Sequence, residues 1–242
     1  HGEYLIEIAK KLPPDAKNWS TKEFASFAIT EILSEQKNDL DNLGVKFDNW
    51  FYESDLYKQN LPDKVLQILE EKNMVEIKDG ARWLKMEKTE DKERVLVKSN
   101  GTKTYFLNDL AYHKTKYDRG FDWIIDIWGA DHHGYIPRMK AGLKALGYDE
   151  TKLTVLIHQL VSVKKGNEII KMSKRVGVFH TLRELIKEVS PDGVKFFFTM
   201  RHPNTHLIFD VELAKKQSNE NPLYYVQYAH ARISSIFEKA KI

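Results

Sequence analysis

Lys171, Ser173, Lys174 and Arg175 crowd around Met172, directly after the apolar pair Ile169-Ile170. Such a loop can bring two mobile ammonium groups and a hydroxyl donor to a polyphosphate. Phosphoryl or nucleotidyl transfer needs this, because charge spread over the non-bridging oxygens must be neutralised in the transition state. A solvated basic turn has a similar composition, but methionine between two lysines is unusual in one. Gly129-Ala130-Asp131 offers a second function: glycine permits close backbone approach, and a carboxylate can accept both ribose hydroxyls of a nucleotide. Taken alone, Gly-x-Asp is also an ordinary turn. His132-His133 does not form a metal site by its spacing, since adjacent side chains diverge and no cysteine or HExxH pattern supports them; hydrogen bonding to a nucleotide or substrate is the better reading. Tyr105 and Asp109 lie four residues apart, and a phenol beside a carboxylate suits an amino group or guanidinium. A core tyrosine followed by a helix-capping aspartate explains the same pair, and residue types alone favour that explanation. The run from Tyr224 to Arg232, with Tyr228, His230 and Arg232, could stack on nucleic-acid bases or simply pack as an aromatic helix.

These residues need a frame. The apolar spacing predicts helices over 4–12, ended by Pro13-Pro14, over 21–40, and from Pro62 with Val65, Leu66, Ile68 and Leu69 inward. Short strands are predicted at 75–77, 81–84 and 95–97, with Asn100-Gly101 as a hairpin turn into a strand over 104–108 and a short helix from Asp109. Residues 123–128 read as a strand buried on both faces, followed by the polar loop 129–134 and a helix to Gly147. Residues 153–163 read as one further buried strand that turns at Lys165-Gly166-Asn167 into 168–170. Thr181-Leu182-Arg183-Glu184 is a capping box, Pro191 opens the next helix, and the tail from Asp210 is helical with a break at Asn221-Pro222. Strands alternating with helices define an α/β protein with a parallel sheet, whose ligands sit at the strand C-termini. The loop at 129–134 and the basic loop are expected to converge there.

The 242 residues carry a net charge of +3 and are 42% hydrophobic, a composition for a folded globular chain that neither demands nor excludes nucleic acid. The absence of cysteine excludes disulfides and thiolate zinc sites. No apolar run is long enough to span a bilayer. No Walker-type GxxxxGK[ST], GxGxxG or GxSxG occurs, which argues against P-loop enzymes, common dehydrogenases and serine hydrolases.

Together these motifs resemble one family, the arginyl-tRNA synthetases. Lys171-Met172-Ser173-Lys174-Arg175 with Gly177 resembles the second class I synthetase signature. Gly129-Ala130-Asp131-His132-His133-Gly134-Tyr135 resembles the bacterial-type arginyl loop. Ser99 to Thr102 with Tyr105 to Asp109 resembles the strand that carries arginine-binding groups, and Asn221-Pro222 through Arg232 resembles the junction into the helical anticodon-binding domain. The last two segments separate arginyl enzymes from their class I relatives, and the likeness spans essentially the whole chain. It implies a Rossmann-type class I catalytic domain with a parallel sheet over 1–205, in which 48–98 could be an insertion, and a C-terminal helical segment at 206–242 that starts the anticodon-binding domain. It implies a ligase that joins L-arginine to its tRNA through an arginyl-adenylate made from ATP. By the resemblance, Lys171, Ser173 and Lys174 contact phosphates during catalysis. Gly129, Asp131, His132, Val161 and Met172 bind ATP, Tyr105, Asp109 and His132 meet arginine, and Tyr228, His230 and Arg232 meet tRNA. No protein-held metal is implied; Mg²⁺ arrives on the ATP phosphates. The partners are tRNA(Arg), L-arginine and ATP, with no membrane, in a cytoplasmic monomer.

Some positions depart from the family pattern. Gly193 and Lys195 stand where alanine and arginine are usual, and Val178 and His180 where smaller or more polar residues are usual. The His-x-Gly-His signature is absent, so the chain reads as an internal portion of a longer synthetase, inactive alone. Two alternatives compete: another class I-like nucleotidyltransferase that activates a small acid without tRNA, and a non-catalytic RNA-binding paralogue. The Tyr224–Arg232 run argues against the first. The basic loop, Asp131 and Asp109 argue against the second.

Overall fold

A computed structural model describes residues 2–85, 94–170 and 181–241. The chain divides into two units, His1–Asp48 with Leu160–Ile242, and Asn49–Gln159. The first unit begins with α1 (Glu3–Lys10) and α2 (Thr21–Asn42). Ser20 and Glu23 close a capping box at the start of α2, satisfying backbone donors that the first turn leaves without partners.

The second unit holds α3 (Glu53–Lys58), α4 (Leu61–Glu71), β1 (Val75–Lys78), β2 (Ala81–Leu84), β3 (Val95–Val97), α5 (Tyr105–Asp118), β4 (Ile124–Gly129), α6 (Ile136–Leu146) and β5 (Leu153–His158). As the sequence predicts, Pro62 lies in the first turn of α4, and Val65, Leu66 and Leu69 are buried. Strands β1, β2 and β3 form an antiparallel sheet, and β4 pairs in parallel with β5 from Ile124↔Leu153 to Gly129↔His158. Leu69, Leu84, Leu96, Leu107, Leu110, Met139, Leu143 and Leu153 form a core without solvent access. Helices α5 and α6 approach so closely that a Cβ on Gly142 would lie 2.5 Å from Leu110 Cδ2.

Two expectations for this unit fail. The segment after Asn100-Gly101 is not a strand. The turn itself forms, with Gly101 at φ +81°, but only one isolated bridge, Val97↔Lys103, follows it. Thr104 then starts a helix: its side chain accepts from Leu107 N at 3.4 Å and donates to Val95 O at 2.7 Å. A cap tied to a neighbouring strand overrides the strand propensity of Thr-Tyr-Phe-Leu. Thr104→Ala should therefore cost about 1–2 kcal/mol, read as a lower urea midpoint.

Strand β4 is also not buried on both faces. Ile124 and Asp126 point inward while Ile125 and Ile127 are 46% and 69% exposed. Within this unit the α5–α6 layer packs with Ile124 and Leu153 on one face, so the strand alternates as a one-sided sheet does.

The first unit resumes with β6 (Val161–Lys165), β7 (Glu168–Ile170), α7 (Leu182–Val189), α8 (Pro191–Thr199), β8 (Leu207–Asp210), α9 (Val211–Lys215) and α10 (Pro222–Ala240). The single strand expected over 153–163 is thus two. Strand β5 pairs with β4, whereas β6 pairs in parallel with β8 and antiparallel with β7. The apolar run gives no sign of this break, because both pieces are strand-like and only their partners differ. Strand β8 escaped the sequence reading. The capping box forms as predicted, with Thr181 N donating to Glu184 Oε2 at 2.7 Å and Glu184 N to Thr181 Oγ1 at 3.2 Å. Pro191 opens α8, and Asp210 caps α9 by accepting from Leu213 N at 3.0 Å. Phe209, Val194, Val211 and Phe197 centre this unit's core. Among the described residues no helix is long and apolar enough to cross a membrane.

Candidate amino-acid and nucleotide site

The helical start of α5 changes the meaning of Tyr105 and Asp109. Four residues apart on a helix, they share one face, and both line a cavity of about 310 Å³ with Phe51, Glu53, Leu56, Asn108 and Tyr112. Tyr105 is 83% exposed, which excludes the reading of it as a core residue. Asp109 is not a helix cap; Thr104 is. Phe51 and Tyr112 stack at 4.6 Å between ring centroids, giving the cavity an aromatic wall.

Asp109 is positioned from two sides. Tyr135 donates its hydroxyl to Asp109 Oδ2 at 2.8 Å. The Asp109 carbonyl lies 2.7 Å from His113 Nδ1, whose Nε2 meets Asp126 Oδ2 at 2.6 Å. Lys116 Nζ donates to the other oxygen of Asp126, also at 2.6 Å. Both nitrogens of His113 thus face oxygens, which fixes the orientation of the ring. Burial raises the Asp109 carboxyl above its ordinary range, and the Glu53 charge adds to this, against the lowering effects of the Tyr135 hydrogen bond and the charges of His113 and Lys116. A partly desolvated carboxylate in an aromatic-walled cavity is suited to a cation that replaces the lost water.

The Gly129–Asp131 segment adjoins this cavity through Tyr135. Gly129 ends β4, and residues Ala130–Tyr135 form a 3-10 helix instead of an irregular loop. A Cβ on Gly129 would lie 2.7 Å from Asp131 Oδ1, so glycine leaves room for the carboxylate to fold back over the strand end. Asp131 is exposed, and His132 Nε2 stands 3.7 Å from its Oδ2. Both are free to meet a ligand in solvent.

The other residues singled out from sequence lie in the first unit. Val161 begins β6, half-buried and opposite Leu207. Tyr228, His230 and Arg232 are exposed on α10, which starts at an Asn221 cap that donates to Ala214 O and Lys216 O. The basic stretch Lys171, Met172, Ser173, Lys174 and Arg175, and the positions Gly177, Val178 and His180, lie outside the described residues.

Sequence reasoning missed Phe51, Glu53, Leu56, Asn108 and Tyr112 as cavity residues, and the Asp126–His113 relay behind Asp109. Once α5 is known to be a helix, the spacing Tyr105, Asn108, Asp109, Tyr112 is the signature of one face. No local signal brings residues 51–56 to it.

A parallel β4–β5 pair, a Gly-x-Asp segment at the end of β4 and an acidic, aromatic-walled cavity lined from α3 and α5 characterise an α/β unit. Comparison makes the class specific: residues 6–220 match the family described as tRNA synthetases class I (R), catalytic domain. The chain belongs to that family. It is 50% identical over 242 residues to the arginine–tRNA ligase of Elusimicrobium minutum, covering 100% of this chain and 46% of that one. It is 48% identical to the enzyme of the same name from Thermotoga maritima, covering 99% and 46%. In structure it matches a Campylobacter jejuni chain assigned as an arginyl-tRNA synthetase, with TM-score 0.85 at 34% identity over 99% of this chain and 54% of that one. The chain spans about half the length of the curated relatives it matches. The fold is that of a class I synthetase catalytic domain with a parallel strand pair and a C-terminal helix.

Proposed function

We propose that the full gene product carrying this sequence is an arginine–tRNA ligase, which makes arginyl-adenylate from L-arginine and ATP and passes the arginyl group to tRNA(Arg). The observation that carries this reading is the cavity in which Asp109, oriented by Tyr135, shares a helix face with Tyr105. A guanidinium there gains a charge-assisted bond to Asp109 and stacks on an aromatic ring. On this reading Gly129 and Asp131 hold the ribose of ATP, His132 contacts substrate, and Val161 and Met172 border the adenosine. Lys171, Ser173 and Lys174 meet the phosphates, with Mg²⁺ arriving on those phosphates.

The arginine carboxylate attacks the α-phosphate in line, its own oxygen forming the mixed anhydride as pyrophosphate leaves. No proton transfer is needed in that step. The residues contribute by positioning the two substrates and by countering charge. Tyr228, His230 and Arg232, exposed on α10, approach the tRNA. Residues 1–205 are taken as the catalytic domain and 206–242 as the start of the anticodon-binding helices, in a cytoplasmic monomer.

The test is ATP–pyrophosphate exchange by the full gene product with tRNA present. Exchange is expected with L-arginine; exchange dependent on another amino acid, or on none, would reject the assignment.

A further inference from the structure

The register of β4 against β5 sets Gly129 beside His158 on the last rung of the pair. Side chains alternate along each strand. Ile124 and Asp126 point inward with Leu153, while Ile125, Ile127 and Leu156 are exposed on the outer face. Gly129 and His158 continue that outer series, two residues beyond Ile127 and Leu156.

A Cβ on Gly129 would therefore point to the same face as the His158 side chain, and it would meet Asp131 Oδ1 at 2.7 Å. Neighbouring strands lie about 4.8 Å apart. Asp131 and His158 thus flank one spot over the end of the strand pair, close to each other but without a mutual hydrogen bond. Asp131 turns its other oxygen, Oδ2, to His132 Nε2 at 3.7 Å. His158 is half-buried, and its Nδ1 lies 2.7 Å from the Gln159 carbonyl. A carbonyl only accepts, so Nδ1 carries the proton, and the neutral ring presents Nε2 as an acceptor. That nitrogen has no partner among the described residues. The spot is bordered by two acceptors from two strands, a carboxylate oxygen and an imidazole nitrogen.

We propose that His158 is a further nucleotide-binding residue, accepting one hydroxyl of a ribose whose other hydroxyl is taken by Asp131. This rests on the reading of Gly129 and Asp131 as the ribose site of ATP. The neutral donors of an adenosine are its two ribose hydroxyls and the N6 amino group. Only the vicinal hydroxyls offer two donors side by side to two neighbouring acceptors. Because His158 is fixed by the strand register and by its own bond to Gln159, it loses little freedom when it binds.

The decisive variant is His158→Phe in the full gene product, which keeps a ring and removes the acceptor. In ATP–pyrophosphate exchange with tRNA present, the KM for ATP should rise about 10-fold, with the KM for L-arginine unchanged. His158→Gln, which supplies an acceptor again, should recover most of that loss. The exchange is then repeated with 2′-deoxyATP and with 3′-deoxyATP. For the analogue that lacks the hydroxyl held by His158, the Phe variant and the unmodified protein should show the same KM. An unchanged KM for ATP in the Phe variant overturns the proposal. So does a rise that persists with both analogues, since His158 would then shape the site without holding a hydroxyl. The underlying reading fails separately if Asp131→Asn leaves the KM for ATP as in the unmodified protein.

Discussion

Replacing Asp109 with asparagine in the full gene product should raise the KM for L-arginine by about 100-fold or more while leaving the KM for ATP essentially unchanged. Asparagine keeps the shape of the side chain and can still accept from Tyr135, so the change isolates charge. Loss of one member of a desolvated charge pair commonly costs about 2–5 kcal/mol, which is the scale of that KM change. Equal loss of arginine and ATP affinity would mean that Asp109 supports the fold of the site and does not hold the amino acid. Stability should move the other way. Burial raises the folded-state carboxyl of Asp109 above its ordinary value. A group raised in this way contributes stability that is fully present below its unfolded-state value and is lost as pH rises through the folded-state value. At pH 7 the ionised side chain is therefore a cost, and Asp109→Asn should show an equal or higher thermal midpoint. The unmodified protein should lose arginine affinity on acidification sooner than an ordinary aspartate would cause, because Asp109 takes up its proton at higher pH. The combination of weaker binding with undiminished stability is the mark of a site residue held at some expense to the fold.

The second large effect is on stability alone. Asp126 is 8% exposed and pairs with both His113 and Lys116 at 2.6 Å. Asp126→Ala removes at once the acceptor that meets the buried His113 Nε2 and the counter-charge of the partly buried Lys116. Breaking a buried pair by removing one partner costs about 3–5 kcal/mol, and equilibrium urea unfolding should show a loss of that size. A loss below about 1 kcal/mol would mean that water enters and solvates His113 and Lys116. The pH dependence has a definite sign. Burial alone would raise the Asp126 carboxyl, but His113 and Lys116 outweigh it and hold the group below its ordinary value of 3.8. Its stabilisation is therefore present above the unfolded-state value and is lost as pH falls through the lower folded-state value. Acid unfolding of the unmodified protein should include this loss below about pH 4, and the Asp126→Ala protein should lack that component. Because the same histidine meets the Asp109 carbonyl, arginine binding should weaken modestly in this variant too.

Much of the local architecture is written in short segments. The α7 capping box needs only Thr181 and Glu184, three residues apart. Pro62 and Pro191 mark helix starts because a first turn has no use for the missing N–H. Val65, Leu66 and Leu69 announce the inner face of α4 by spacing. The synthetase likeness is of the same kind, carried by contiguous motifs such as 129–135 and 221–232. The failures occur where two local readings are equally good. Thr104-Tyr105-Phe106-Leu107 has strand-like residues, but Val95 O holds the Thr104 hydroxyl in place to cap a helix. The run 153–163 is apolar throughout, yet its halves join different sheets. Residues 123–128 read by composition as doubly buried, and their alternation points the wrong way: the face with Asp126 is the inner one, while the wholly apolar face of Ile125 and Ile127 is exposed.

The sequence by itself determined the residue types available here: a carboxylate at Asp131 two residues after a glycine, a phenol and carboxylate at Tyr105 and Asp109, a basic stretch at 171–175, and a family that unites them. Only the tertiary structure decided that Tyr105 and Asp109 share a helix face, that Tyr135 and the Asp126–His113 pair position Asp109, and that Glu53 and Phe51 complete the cavity. The reason is separation along the chain. Motifs and caps act over three or four residues and are set by backbone geometry. Glu53 meets Asn108 across 55 residues, and their meeting depends on how α3, α4 and α5 pack around the buried leucines.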